Sequence, residues 1–364
     1  MDVDVAIIGA GISGLTTAAL LVDVGLSVMV LEAAPQPGGR VKSLRNSDGR
    51  HLADLGPSWV WPSFQPVAAD WLERLGLDTH NQFEAGDAII EMQGRQTIQR
   101  ALPGQHGIQR IVGGPSAIVE ALLARLPDHV VVPDTPVRRV TQISDGLEIA
   151  TDDDLIVARR IVVATPLRVA LDIDWQPELP DDIKQEMAAT PTWMATQAKA
   201  VAVYDSPFWR DADLSGRIAS QVGPLGEAHD LSPDSGKPGV IFGFVGWPAE
   251  QREDEDLVLE ETLYQLARCF GEDAEDTTHF AVEDWAKNPF ICTDLDLNEP
   301  PRHPEPTSEI LREPIADGCI VFSVAEVGEN SPGLIEGAFD AAQTAAAHLI
   351  EAFALDAEGG LPLD

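Results

Sequence analysis

Asp4-Val5-Ala6-Ile7-Ile8-Gly9-Ala10-Gly11-Ile12-Ser13-Gly14-Leu15 stands almost at the start of the chain, and its reading decides how the rest is read. An apolar run of four to five residues, too short for a helix, leads into Gly9-x-Gly11-x-x-Gly14 and then into Leu15-Thr16-Thr17-Ala18-Ala19-Leu20-Leu21, which has helical spacing. The order is strand, tight turn, helix. The three glycines act differently: Gly9 permits the turn, Gly11 lets backbone approach a pyrophosphate, and Gly14 lets the helix lie close against the strand. The unpaired N–H groups of the helix start, at Ile12 and Ser13, and its positive dipole end then face the anion.

A glycine turn alone also occurs in strand-turn-helix units that bind nothing. Here a second apolar run, residues 27–31, ends in Glu32 followed by Ala33, 18 residues beyond Gly14. That is close to the spacing at which an acid meets a ribose hydroxyl, so the pattern points to a bound dinucleotide.

The bulk properties narrow the field. A chain of 364 residues, 44% hydrophobic and 6% aromatic, can bury one large core or two interleaved ones. Its formal charge of −36 argues against nucleic acid or an anionic membrane as partner. Such a charge serves solubility, or steers a cationic substrate; charge alone does not choose. Cys269, Cys292 and Cys319 are odd in number and widely spaced, which fits neither a disulfide framework nor a metal-ligand cluster and agrees with a reducing cytoplasm. No signal peptide is visible, no apolar run reaches the length of a membrane span, and the last helical stretch, 338–355, leads into a short acidic tail without an apolar anchor.

After Glu32, two prolines and then Gly38-Gly39-Arg40 offer backbone N–H groups and a fixed cation to phosphate or carbonyl oxygen. Asp54-Leu55-Gly56-Pro57-Ser58-Trp59-Val60-Trp61-Pro62 is a turn-rich aromatic segment, and 66–75 reads as a helix stopped by Gly76. Val112-Gly113-Gly114-Pro115-Ser116 precedes an amphipathic helix over 117–126; residues 129–132 and 135–140 read as strands, 143–149 and 155–158 as a hairpin, and 160–166 as a further strand ended by Pro166. Lys199 sits in an otherwise apolar strand and points to the same face as Val201 and Val203. A buried lysine is costly without a partner; the alternative is an edge lysine whose head reaches water. Residues 215–246 read as β-hairpins, 254–270 as an acidic amphipathic helix, and 318–327 as a strand ending in Glu326 before the last helix.

With the first glycines, Glu32 and Gly38-Gly39-Arg40 in this order, the chain resembles the flavin-containing amine oxidases, and Lys199 upstream of Tyr204-x-x-Pro207-Phe208-Trp209-Arg210 extends the likeness. The resemblance implies an α/β fold: a Rossmann-like FAD-binding domain with a parallel sheet (1–76, 112–166 and 316–364) and an interleaved α+β substrate domain with a mixed or antiparallel sheet (77–111 and 167–315). It implies FAD contacts at Gly9, Gly11, Ile12, Ser13, Gly14, Glu32, Ala33, Gly38, Gly39 and Arg40, and beside the ring at Gly56, Pro57, Ser58 and Trp59. The backbone of Val137 would meet adenine, Glu326 the ribityl and ribose region, and Leu334 and Ile335 the flavin, the helix start at Ile335 facing its pyrimidine. Lys199 is the implied catalytic residue, holding a water near flavin N5 for reoxidation; Trp61 and Leu334 would face the substrate, and no metal is required.

Three departures qualify the likeness. The connection 78–112 is short where larger members insert a helical substrate lobe, so the lid should be reduced and the site more open, or closed by a partner chain in a homo-oligomer. Leu334 stands where many monoamine oxidases have one of two aromatic rings. The position of the cysteine that tethers FAD in covalent members is Asp294 here, with Cys292 nearby, so non-covalent FAD and an inert Cys292 are expected. The expected activity is oxidation of a small amine to an imine, then aldehyde and ammonia, with O2 reduced to H2O2, in the cytoplasm and without membrane or nucleic acid. The alternatives are an FAD-dependent desaturase or protoporphyrinogen-oxidase-like enzyme, and a non-catalytic FAD-binding module.

Overall fold

The opening apolar run forms the strand Val3–Ile8, and both of its faces are covered. Val5 and Ile7 enter one core, while Val3, Ala6 and Ile8 enter another. A strand buried on both sides belongs in the middle of a layered sheet, which is why its sequence is a continuous apolar run. In the computed structural model, which describes residues 2–95, 97–104, 106–306 and 309–359, it lies between Val28–Leu31 and Leu155–Val163 and parallel to both. Met1 and positions 360–364 of the expected FAD-binding domain and tail lie outside the described residues.

This sheet runs in the order Asp174–Gln176, Arg139–Ile143, Gly146–Ala150, Leu155–Val163, Val3–Ile8, Val28–Leu31, Val131–Val132, with Ile320–Phe322 as an eighth strand on Leu155–Val163. It is therefore parallel at its centre and carries an antiparallel hairpin at one flank. Residues 155–158 and 160–163, expected as separate strands, are one: its first half pairs with the hairpin and its second half with Ile320–Phe322. Conversely, the strand expected over 135–140 begins only at Arg139, because Pro133 and Pro136 remove ladder donors and leave Thr135–Arg138 as a loop. The strand Asp174–Gln176 and Ile183 and Met187 of the helix Asp181–Ala189 belong to this sheet and its core, beyond the boundary drawn at residue 166.

One face of the sheet is covered by the helices Ile12–Asp23 and Ile335–Gly359, and the hydroxyls of Ser13 and Thr17 meet that of Ser323 at 2.7 and 2.9 Å. Segments more than 300 positions apart are thus fastened side by side. The helix Pro66–Arg74 rests on the closing helix through Trp71 stacked on Phe339, centroids 5.3 Å apart. Its first N–H groups, at Val67 and Ala68, are received by the buried carboxylate of Glu336 at 3.2 and 2.6 Å, a cap supplied from another helix.

The second sheet runs His279–Asp284, Ala198–Tyr204, Gly239–Val245, Leu225–Asp230, Leu214–Ser220, Asp87–Glu91, Ile98–Arg100, antiparallel except where Leu214–Ser220 meets Asp87–Glu91. Ala198–Tyr204 is buried throughout and divides its side chains by alternation. Ala198, Ala200, Ala202 and Tyr204 face the helix Glu255–Phe270, whereas Val201 and Val203 face Ala53, Leu55 and Phe242. Lys199 shares the second face. Among the described residues, no helix is long and apolar enough to cross a membrane.

Candidate active site

A cavity of about 920 Å³ is walled by both sheets. Of the residues expected at the site, it brings together Gly9, Gly11, Ile12, Ser13, Glu32, Ala33, Gly38, Gly39, Arg40, Gly56, Pro57, Ser58, Trp59, Trp61, Val137, Lys199, Leu334 and Ile335. Gly14 and Glu326 are not among its lining residues.

At the end made by the first sheet, the lining is largely backbone. The helix Ile12–Asp23 makes its first intrahelical bond from Leu15 N–H to Gly11 O, so the N–H groups of Ile12, Ser13 and Gly14 are those of an uncapped first turn. Gly14 stands behind this surface: a Cβ there would lie 2.1 Å from the carbonyl oxygen of Gly9, so only a bare backbone lets helix and turn meet. The Gly38-Gly39 segment docks on the same turn, with Gly38 N–H donating to Ala10 O at 2.8 Å. Glu32, at the end of the second strand, accepts the N–H groups of Ala10 and Ala34 at 2.7 and 2.8 Å. Burial raises its pKa, and those N–H groups, which lower it, only partly offset the effect.

Arg40 lines the cavity as expected, but Glu326 is arranged otherwise than its sequence position implies. The guanidinium grips the carboxylate with two bonds of 2.6 and 2.8 Å and also donates to the carbonyl of Trp193. Glu326 further accepts the N–H of Trp193 at 3.0 Å, so both of its oxygens are used and it is 1% exposed. Expected against the ribityl chain, it instead stands one layer back, clamping Arg40 and Trp193, both of which do line the cavity. Ile320–Phe322 ends with its partner strand at Val163, and Glu326 lies beyond, within the helical turn Ala325–Val327 rather than at the strand end itself.

At the other end, side chains form the wall. Lys199 is 3% exposed; its Nζ donates to Gly56 O at 2.8 Å and Ser58 Oγ at 2.5 Å and lies 4.1 Å from the centre of the Phe242 ring. Burial brings its pKa down to about 7, the charge of Asp54 acting against that fall and Arg110 adding to it. It therefore exchanges a proton near neutrality, and it is an internal lysine, not one at a strand edge. Trp59 packs edge-on against Phe242, His229 and Trp61, with centroids 5.3, 4.8 and 6.4 Å away. Its indole N–H is held by Gln82 at 2.9 Å.

Several lining residues were not expected. Phe242, Phe244, Trp285 and Phe290 extend the aromatic wall, and Glu227, held by His229 at 2.7 Å, is a carboxylate on that side. The signal for the first two was the alternation Phe242-Gly243-Phe244 within a strand, which sets both rings on one face. The string from Tyr204 to Arg210 supports this wall from behind: Trp209 and Arg210 both bond to buried Asp230, at the end of the Glu227 strand. Cys292 is buried beside Trp285 and Ala195 and is not itself a lining residue, and burial pushes its thiol up to about 12, the range of an unreactive cysteine.

The residues present suit a flavin dinucleotide. A second helix start, with Ala338 N–H donating back to Leu334 O, reaches the same cavity through Leu334 and Ile335. Two helix starts, an acid at the ribose spacing, and an aromatic wall at the far end are what a long ligand with diphosphate in its middle and a flat ring at one end requires.

Comparisons with known proteins agree. Residues 98–350 match the sequence profile described as flavin containing amine oxidoreductase, and residues 7–75 match the NAD(P)-binding Rossmann-like domain. Over 258 residues the chain is 29% identical to the "Putative flavin-containing monoamine oxidase AofH" of Mycobacterium tuberculosis (strain CDC 1551 / Oshkosh), covering 69% of this chain and 55% of that protein, a little over half its length. It is 22% identical to the flavin-containing amine oxidase B of Canis lupus familiaris over 456 aligned positions, 96% of this chain and 86% of the relative. The alignment is longer than the chain, so the relative has segments without a counterpart here. Cyclohexylamine oxidase from Brevibacterium oxydans IH-35A superimposes with a TM-score of 0.82 over 97% of this chain and all of that one; at 20% identity the likeness is one of fold.

Proposed function

The chain belongs to the flavin containing amine oxidoreductases, and from that premise we propose that it is an FAD-dependent oxidase of amines. The single observation that carries the reading is that a lysine buried among aromatic rings shares one cavity with the glycine turn and the closing helix start. FAD, held non-covalently, would supply the redox chemistry: it accepts two electrons from the substrate and passes them to O2. Gly9, Gly11, Ile12, Ser13, Glu32, Ala33, Gly38, Gly39 and Val137 would hold its nucleotide half. Gly56, Pro57, Ser58, Trp59, Leu334 and Ile335 would hold its ring half. Arg40, in the cavity wall, would face the cofactor, and Gly14 and Glu326 fix these walls from behind.

The substrate C–H next to nitrogen is cleaved with its electron pair, leaving an imine; water then gives an aldehyde and ammonia, while O2 ends as H2O2. What this chain contributes is environment. Trp59, Trp61, Phe242 and Phe244 exclude water from the amine and so favour its neutral, oxidisable form over the ammonium. Lys199 Nζ, fixed by Gly56 and Ser58 and titrating near neutrality, holds the proton that reduction of O2 draws on.

The test is anaerobic mixing with primary, secondary and polyamine substrates and with amino acids, followed by admission of air. Bleaching of the yellow flavin by at least one amine, then recovery of colour with one H2O2 per turnover, is the expected result. A flavin that no amine bleaches, or one bleached only by a bulky apolar donor that becomes desaturated, would overturn the reading.

A further inference from the structure

We propose that Asp54 and Arg110, neither of which faces the cavity, are a buried pair of positioning residues that set in opposite directions how readily Lys199 holds a proton. The inference rests on the oxidase reading only for its consequence in the oxygen step.

Asp54 and Arg110 are 1% and 4% exposed, and a buried charge is costly unless its bonds are made. Elsewhere in the molecule such pairs close: Arg210 grips Asp230 at 2.7 and 3.0 Å, and Arg252 grips Asp284 at 3.0 and 2.9 Å. Asp54 and Arg110 are held apart instead. Their nearest approach is 3.8 Å, and Asp54 Oδ2 and Arg110 Nε have no hydrogen-bond partner. Arg110 is anchored elsewhere, by Nη1 on the carbonyl of Ser232 at 2.9 Å. Asp54 is anchored by Oδ1 on His51 Nε2 at 2.7 Å. Room for that contact is made by Gly114, in the glycine pair before the helix Ser116–Leu123: a Cβ there would lie 2.2 Å from Asp54 Oδ1 and 2.3 Å from His51 Nε2.

Through Asp54 the pair is tied to the segment that holds Lys199, Arg110 standing 3.8 Å from the carboxylate. Asp54 is two residues from Gly56, whose carbonyl takes the lysine Nζ, and its neighbours Ala53 and Leu55 pack on Val201 and Val203 of the lysine's own strand. Charges that are not spent on each other act on the titrating groups around them, here Lys199, which Asp54 favours in its protonated form and Arg110 disfavours, and His80. Burial pushes the Asp54 carboxyl up, but His51, through its hydrogen bond and charge, with Arg110 and Lys199, holds it below the ordinary carboxylate range. Other charged groups on the neighbouring strands are engaged elsewhere. Glu283 lies opposite it on the strand His279–Asp284 and is paired with Lys42; Glu227 is held by His229; Asp230 and Arg210 act on Arg110. The strand Gly239–Val245 presents Phe242 and Phe244 and no charge.

The chain has five lysines, Lys42, Lys184, Lys199, Lys237 and Lys287, so the flavoprotein labelled with [6-13C]lysine can be titrated by NMR, the Lys199 signal being the one absent in Lys199→Met. The expected midpoint falls by about one pH unit in Asp54→Asn and rises by about one in Arg110→Met, while Asp54→Glu, which keeps the charge, stays near the wild type. Opposite movement is something a general loosening of the fold would not produce, and each variant decides by itself if the other fails to fold. Unmoved midpoints, or movement of both in one direction, would overturn the proposal. The titration uses neither amine nor O2, so a flavin that no amine reduces would sink the oxidase reading and leave this result standing.

Discussion

The two ends of the cavity are built from different material. Around Gly9 to Gly14, Gly38 and Ile335 the wall is backbone: N–H groups of helix starts and turns, held in place by the absence of side chains. Around Lys199 the wall is side chain: a buried ammonium, four or more aromatic rings and, behind them, charges that do not fully pair. The first end needs only that the chain come close. The second needs several side chains from distant segments to be held in one electrostatic setting, so it is sensitive to changes that leave the fold intact.

That contrast can be broken by variants placed at either end. The largest effect is expected for Lys199→Met: reoxidation of reduced flavin by O2, followed by stopped flow, should slow by about 10²–10⁴-fold, the range of a lost acid–base group, with FAD content unchanged. Equal reoxidation rates in variant and wild type would show that the side-chain end does not govern the oxygen step. Gly14→Ala should behave inversely. The added carbon meets the Gly9 carbonyl, and overpacking of that kind costs about 1–3 kcal/mol, which, lost from binding, is roughly five- to 150-fold in FAD affinity. Reoxidation of whatever flavin is retained should be normal, which the ratio of flavin to protein absorbance and the same stopped-flow trace measure together.

A smaller effect separates burial from chemistry. In the folded chain Lys199 titrates near 7, below its ordinary value near 10.5, so between these values the unfolded state binds more protons than the folded one. By linkage, the lysine's contribution to stability rises with pH across that window, and the burden of burying its charge is greatest below pH about 7. Lys199→Met should therefore raise the melting temperature relative to wild type at pH 6 to 7, and the gain should shrink as the pH approaches 10. A difference independent of pH would mean that the gain came from packing alone.

Read as sequence, the backbone end was almost wholly legible. Strand, glycine turn, helix and trailing acid are local patterns whose geometry follows from sterics over a few residues, and all of the glycines quoted for it except Gly14 line the cavity, Gly14 lying just behind. Local pattern also put Lys199, Val201 and Val203 on one face of a strand. What it did not contain was anything that depends on which segment arrives opposite which. The rings of Phe242 and Phe244 were a plain alternation until their strand was laid beside Ala198–Tyr204. Glu326 looked like a strand-end acid until Arg40, nearly three hundred positions earlier, was folded against it. Asp54 was one letter of a turn motif until His51 took one of its oxygens and Arg110 stood 3.8 Å from the other without bonding it. Sequence by itself determined the nucleotide turn and the class of ligand, because those rest on short-range backbone geometry; only tertiary structure decided which charges are buried, paired or left acting at a distance, because burial and pairing are properties of neighbours in space.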